Sequence, residues 1–127
     1  MKLPSRATSF LIGLTAIALV VALQTFNSVA CYRHDLATWG LSLCFVAVPM
    51  LPAVLALASR QPLRAMGASL LFAPWLVYAY YIDCIKPYTG GGASMIYVAV
   101  LLYGLPSAIV GAWLTGPLLR WLAKRAP

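Results

Sequence analysis

Apolar residues run along this chain in four long blocks, and within none of them do polar residues recur at every second position. The blocks cover approximately Ser9 to Ala30, Ala37 to Ala58, Ala65 to Ile82 and Ser94 to Leu119. Each is near the ~20 residues that a helix rising about 1.5 Å per residue needs to cross a ~30 Å hydrocarbon layer. The intervening links, "CYRHDL", "SRQPLR" and "DCIKPYTGGGA", are short and polar, which forces neighbouring helices to run antiparallel. Backbone groups in lipid must be satisfied within the segment, and the missing two-residue period removes a barrel. The pattern predicts an all-α fold: an integral membrane four-helix bundle with short loops, forming a single transmembrane domain over residues 1–127.

Composition supports lipid as the main solvent. Hydrophobic residues make up 63% of the 127 and charged residues only 9%, against roughly 45–50% and about 25% in soluble domains. The net charge of +7 matters through its placement. Lys2, Arg6, Arg60, Arg64, Arg120, Lys124 and Arg125 flank the spans on one side, leaving only Arg33 and Lys86 for the other. Under the positive-inside rule both termini are cytoplasmic and the "DCIKPYTGGG" loop faces outward, with a bacterial inner membrane as the expected location. Cations scattered between apolar runs form no basic helix face, so nucleic acid is not an expected partner. Tyr32, Trp39, Tyr78, Tyr80, Tyr81, Tyr88 and Tyr97 gather toward the outer ends, and Trp113 and Trp121 toward the inner end, in the manner of interfacial belts. A second reading of the N-terminal block stays open: Lys2, Arg6, the apolar run and "SVA" before Cys31 also fit a secretory signal cleaved after Ala30.

Helix association in lipid depends on small residues that allow close approach. The fourth span offers two rows at four-residue spacing, Ser107, Gly111, Thr115 and Ala108, Ala112, Gly116, as candidate packing residues. Proline interrupts every span but the first, at Pro49, Pro52, Pro74, Pro106 and Pro117, which predicts bends.

Candidate chemistry is sparse. Asp35 and Asp83 are the only acids, both at outer helix ends, and Gln24 and Asn27 are the only strongly polar residues inside the first span. Length and span number resemble the small multidrug resistance transporters, but the first span lacks the carboxylate which that resemblance would require. Cys31 and Cys84 end the first and third spans on the same side and form a candidate disulfide in an oxidising compartment if those two helices lie close there; Cys44, inside the second span, reads as a small buried hydrophobe. The outward cysteines also resemble those of quinone-coupled disulfide-generating enzymes, yet no C-x-x-C pair is present. His34 beside Asp35 is too little for a metal or triad signal, and no cofactor or metal is expected. The triple glycine is not followed by the lysine and hydroxyl of a phosphate loop; Ser94 reads instead as the cap of the fourth span.

With no catalytic set, the leading expectation is a non-enzymatic protein acting through protein–protein interaction. It would be an immunity protein against a membrane-targeting toxin, similar in size and span number to bacteriocin immunity proteins, or an accessory subunit of a larger membrane complex; a homo-oligomer is also open. The candidate interaction residues are Tyr32, Arg33, His34, Asp35, Tyr81, Asp83, Lys86 and Tyr88. The alternatives are a small transporter or channel component, which needs a hydrated path, and a membrane enzyme acting on a lipid or thiol, which needs His34, Asp35 and Asp83 to converge.

Overall fold

A computed structural model describes residues 2–86 and 95–126. The expected cap at Ser94, the triple glycine, Pro87 and Tyr88 lie outside the described residues. Within them the chain is all-helical. Helix α1 covers Arg6–Phe26, α2 Leu36–Ala47, α3 Leu51–Ala58, α4 Arg64–Tyr80 and α5 Ile96–Arg125. Single π-helical turns, Asn27–Cys31 and Tyr81–Ile85, extend α1 and α4. Helix α1 starts where Ser5 Oγ accepts from the Thr8 backbone N–H at 3.2 Å, and α2 where Asp35 accepts from Thr38 N–H at 2.8 Å, each satisfying an otherwise unpaired donor.

The helices carrying α1, α4 and α5 are each long and apolar enough to cross a membrane. The second block differs from expectation. It is not one helix but two, α2 and α3, bent by 71° at a short break, and it counts as a fourth span only if the pair is taken together. Two prolines explain the break. Pro49 and Pro52 remove the backbone donors that would bond Phe45 and Val48 carbonyls, and Pro52 falls in the first turn of α3, where a missing N–H is tolerated. Val48 instead accepts from Leu51 N–H at 3.1 Å, a tighter turn. Pro74, Pro106 and Pro117 lie within helices that continue through them.

Helix α4 is central and packs against α5, α1 and α3. Its seam with α5 brings backbones into contact: a side chain at Gly111 would collide with the Gly67 carbonyl, and one at Gly67 with the Thr115 hydroxyl. Further along, Gly104 lets Phe72 lie flat, since a Cβ there would sit 2.6 Å from the ring. The buried stripe of α5 is Val100, Gly104, Ala108, Gly111, Thr115 and Gly116, while Ser107 and Ala112 flank it half-buried. The stripe therefore straddles the two four-residue rows. A strict step of four drifts about 40° around a 3.6-residue helix at each move, whereas alternating steps of four and three hold one face. Phe72, Leu76, Val100, Ala68 and Ala108 are fully buried in the interior. Cys44 corrects its expectation: it is exposed on α2, a peripheral helix whose only buried residue is Val46.

Gly111→Leu should destabilise the protein by about 1–3 kcal/mol through overpacking. Gly40→Ala, where an added Cβ meets nothing within 4 Å, should not lower stability. Thermal unfolding in mild detergent, monitored by circular dichroism, distinguishes the two.

Candidate functional site

The two π turns set the geometry of one end of the molecule, the disulfide end. A π turn holds one more residue than an α turn and so rotates the succeeding residues by about 100°. Cys31 closes the first such turn and Cys84 lies in the second, and together they bring the sulfurs to disulfide distance with Cα atoms 5.8 Å apart. The expected pairing of Cys31 and Cys84 is thus present.

Beneath the bridge lies a buried polar network. Gln24, Asn27 and Ser28 share one face of α1 and its π turn, and all three are fully enclosed. Gln24 donates to Ser42 Oγ at 3.3 Å and accepts from the Tyr97 hydroxyl at 3.1 Å, joining α1, α2 and α5. Ser42 gives its own proton to the Trp39 carbonyl at 2.7 Å, so Ser28, 2.9 Å away, must donate to Ser42. His34 Nδ1, 3.3 Å from Ser28 Oγ, then faces an acceptor lone pair, which selects the tautomer protonated at Nδ1. Asn27 donates to the Leu76 carbonyl at 3.2 Å, tying α1 to α4, while its own carbonyl oxygen is buried with no protein donor among the described residues. In hydrocarbon each such bond contributes roughly 0.6–2 kcal/mol and fixes which helix faces meet.

The segment from Cys31 to Asp35 runs over this network and is pinned almost residue by residue. Cys31 is bridged. The Tyr32 hydroxyl donates to Asp83 Oδ2 across to the π turn after α4, and its ring stacks on His34 with centroids 5.2 Å apart. His34 N–H donates to the Ser28 carbonyl at 3.0 Å. Asp35 is spent on the α2 cap, where the Thr38 hydroxyl and backbone N–H hold its carboxyl below the ordinary range. Burial, reinforced by the bond to Asp83, pushes the Tyr32 phenol well above the usual tyrosine range. Between these anchors Arg33 is exposed and has φ 52°, left-handed backbone that non-glycine residues seldom adopt.

The remaining sequence-predicted residues among those described, Tyr81 and Lys86, begin and follow the second π turn, and both are exposed. Ile85, 61% exposed, and Leu36, 79% exposed, were not among the predicted residues. His34, Asp35 and Asp83 do not form one reactive set: His34 serves Ser28, Asp35 the helix cap, and Asp83 the Tyr32 hydroxyl. Among the described residues no three His, Cys, Asp or Glu side chains converge as metal ligands. Ser42, Trp39 and Tyr97 are the contributors that sequence reasoning missed. The unused signal is the spacing of Gln24, Asn27 and Ser28, three polar residues on one face of an apolar helix, which called for polar partners on neighbouring helices.

The chain matches no protein-family model, no curated protein and no solved structure.

Alkylation of the unreduced, denatured chain should modify Cys44 alone, and prior reduction should add two sites, read as mass increments. Reduction should also lower thermal stability. The loss should be smaller than the ~4 kcal/mol that loop-closure entropy gives for a bridge spanning 53 residues, because helices held in lipid restrict the unfolded chain already. In a separate alkaline titration, Tyr32 should stay protonated past the ordinary tyrosine pKa of about 10, so Tyr32→Phe should remove no absorbance change in that range. The stabilisation from its raised pKa is then fully present below pH ~10 and lost only at higher pH.

Proposed function

We infer that this chain is a multi-pass protein of a bacterial cytoplasmic membrane, with both termini cytoplasmic, that acts by presenting the Arg33 loop to a protein partner on the outer side. The observation that carries this reading is the loop itself. An exposed arginine is held in a strained backbone conformation between residues anchored by a disulfide, a tyrosine–aspartate bond, a histidine–serine bond and a helix cap. Fixing a recognition loop in advance removes the ordering entropy that binding otherwise has to offset. Arginine is among the residues that dominate interface energetics, and strain of this kind concentrates at functional positions. Leu36, three residues on, and Tyr81 and Ile85, in the π turn that holds Cys84, supply exposed apolar surface at the same end.

The orientation rests on the seven-to-two cation imbalance and on the presence of a disulfide, which persists in oxidising compartments. The interior closed by Phe72, Leu76, Val100 and Ala108 disfavours a transport path through the middle of the molecule. An immunity protein capturing a membrane-targeting toxin and an accessory subunit docking on a larger membrane protein both use such a surface, and both act without catalysis.

Arg33→Gly separates recognition from folding. Glycine adopts φ 52° freely, so thermal stability should hold or rise by about 1 kcal/mol. Loss of the side chain should weaken partner binding by about 30-fold, the ~2 kcal/mol expected of an interface hot spot. A photo-crosslinker placed at residue 33 in the native host should yield one discrete protein adduct, and one at lipid-exposed Phe10 should not. Undiminished crosslinking in a variant carrying Gly at the neighbouring anchor positions, or none at residue 33, would contradict the reading.

A further inference from the structure

At the opposite end, four arginines from four parts of the sequence surround one pocket of about 260 Å³: Arg6 opens α1, Arg60 lies in the α3–α4 link, Arg64 opens α4 and Arg120 lies near the end of α5. Arg64 is half-buried as a residue, and its guanidinium is set from two sides. Its Nε donates to Gln61 Oε1 at 2.7 Å, and its Nη2 rests against Gly116 of α5, where a Cβ would come within 2.7 Å. Gly116 thus makes room for an arginine rather than for a neighbouring helix. Four guanidinium-bearing side chains lining one pocket give it a positive potential that favours an anion. The only two carboxylate side chains of the whole protein, Asp35 and Asp83, belong to the disulfide end. No carboxylate side chain of the protein therefore serves this pocket, which leaves its guanidinium groups open to an external anion.

The walls identify the kind of anion. Leu3, Pro4, Leu63 and Leu119 line the same pocket, so guanidinium groups and apolar surface are offered together. The pocket is smaller than the ~300–1,000 Å³ typical of sites for drug-sized ligands, and it suits a compact head rather than a whole metabolite. It also sits where three helices of membrane-crossing length begin or end, the depth at which headgroups lie. Arginine matches phosphate oxygens through paired, planar donors.

We propose that this pocket binds the phosphodiester headgroup of an anionic phospholipid, with Arg6, Arg60, Arg64 and Arg120 on the phosphate and the leucine wall along the first carbons of an acyl chain. The pocket is remote from the Arg33 loop, so this assignment stands or falls separately from partner recognition. Binding here ties the ends of α1, α4 and α5 together at the end that has no disulfide.

The test uses the full-length protein, delipidated in mild detergent and titrated with phosphatidylglycerol or with phosphatidylcholine of the same acyl chains, read by native mass spectrometry and thermal shift. Phosphatidylglycerol should bind about tenfold more tightly or better, equal to ~1.4 kcal/mol, and the preference should shrink as salt is raised. Arg60→Gln with Arg120→Gln, both exposed side chains and so compatible with folding, should abolish the preference. Lys124→Gln, which removes a charge at the same end but outside the pocket, should retain it. Equal binding of the two lipids, or an equal loss with Lys124→Gln, overturns the site. Stabilisation by inorganic phosphate matching that by phosphatidylglycerol shows a free-anion site and overturns the lipid assignment.

Discussion

The close approach of α4 and α5 is the constraint on which the rest of this structure depends. Gly67 and Gly111 let the two backbones touch, and lipid offers no hydrophobic gain that could bring such helices together without close packing. From that point the seam runs in both directions. One way it passes Phe72 over Gly104 and reaches Leu76, whose carbonyl receives Asn27. The other way it ends with Arg64 lying on Gly116 at the rim of the arginine pocket. Both candidate sites are thus positioned by the same line of small residues, one at each end of it.

The two ends solve different electrostatic problems. At the disulfide end, buried and half-buried polar groups are joined in a directional chain from His34 through Ser28 and Ser42 to the Trp39 carbonyl. That arrangement rigidifies, and with the bridge between Cys31 and Cys84 it leaves Arg33 held outward in left-handed backbone. At the arginine end the charges are of one sign and are met by no acidic side chain of the protein. A preorganised surface suits recognition of a protein; an uncompensated cationic pocket with apolar walls suits a lipid headgroup.

Much of the fold was legible because hydropathy and loop charge are local properties. The apolar blocks located α1 and α4 to within a few residues and α5 up to Leu119, six residues short of its end at Arg125, and two cysteines at same-side helix ends marked the candidate bridge that the structure contains. The bend between α2 and α3 was signalled by Pro49 and Pro52, but its 71° size depends on how α3 packs against α4 and α1, which no window of sequence contains. Gln24 and Asn27 stood out as the strongly polar residues of the first span, yet their partners, Ser42, Tyr97 and the Leu76 carbonyl, belong to other helices, so the network was hidden until the helices were placed. The rows on α5 were read at a fixed spacing of four, and helical drift moved the actual contact between them. Residues 6, 60, 64 and 120 were visible only as a count of cations on one side; that they surround a single pocket is a tertiary fact.

The proposed arrangement is a two-ended molecule crossing the membrane an even number of times, with the Arg33 loop outside and the arginine pocket inside. Single cysteines at positions 33, 60 and 120, each in a Cys44→Ser background with the native bridge intact, test this most directly with a membrane-impermeant maleimide on intact cells. The predicted result is labelling at 33 from outside and at 60 and 120 only after permeabilisation. Labelling of 33 and 60 from the same side would mean that the bent α2–α3 pair turns back without crossing, and would contradict the two-ended arrangement.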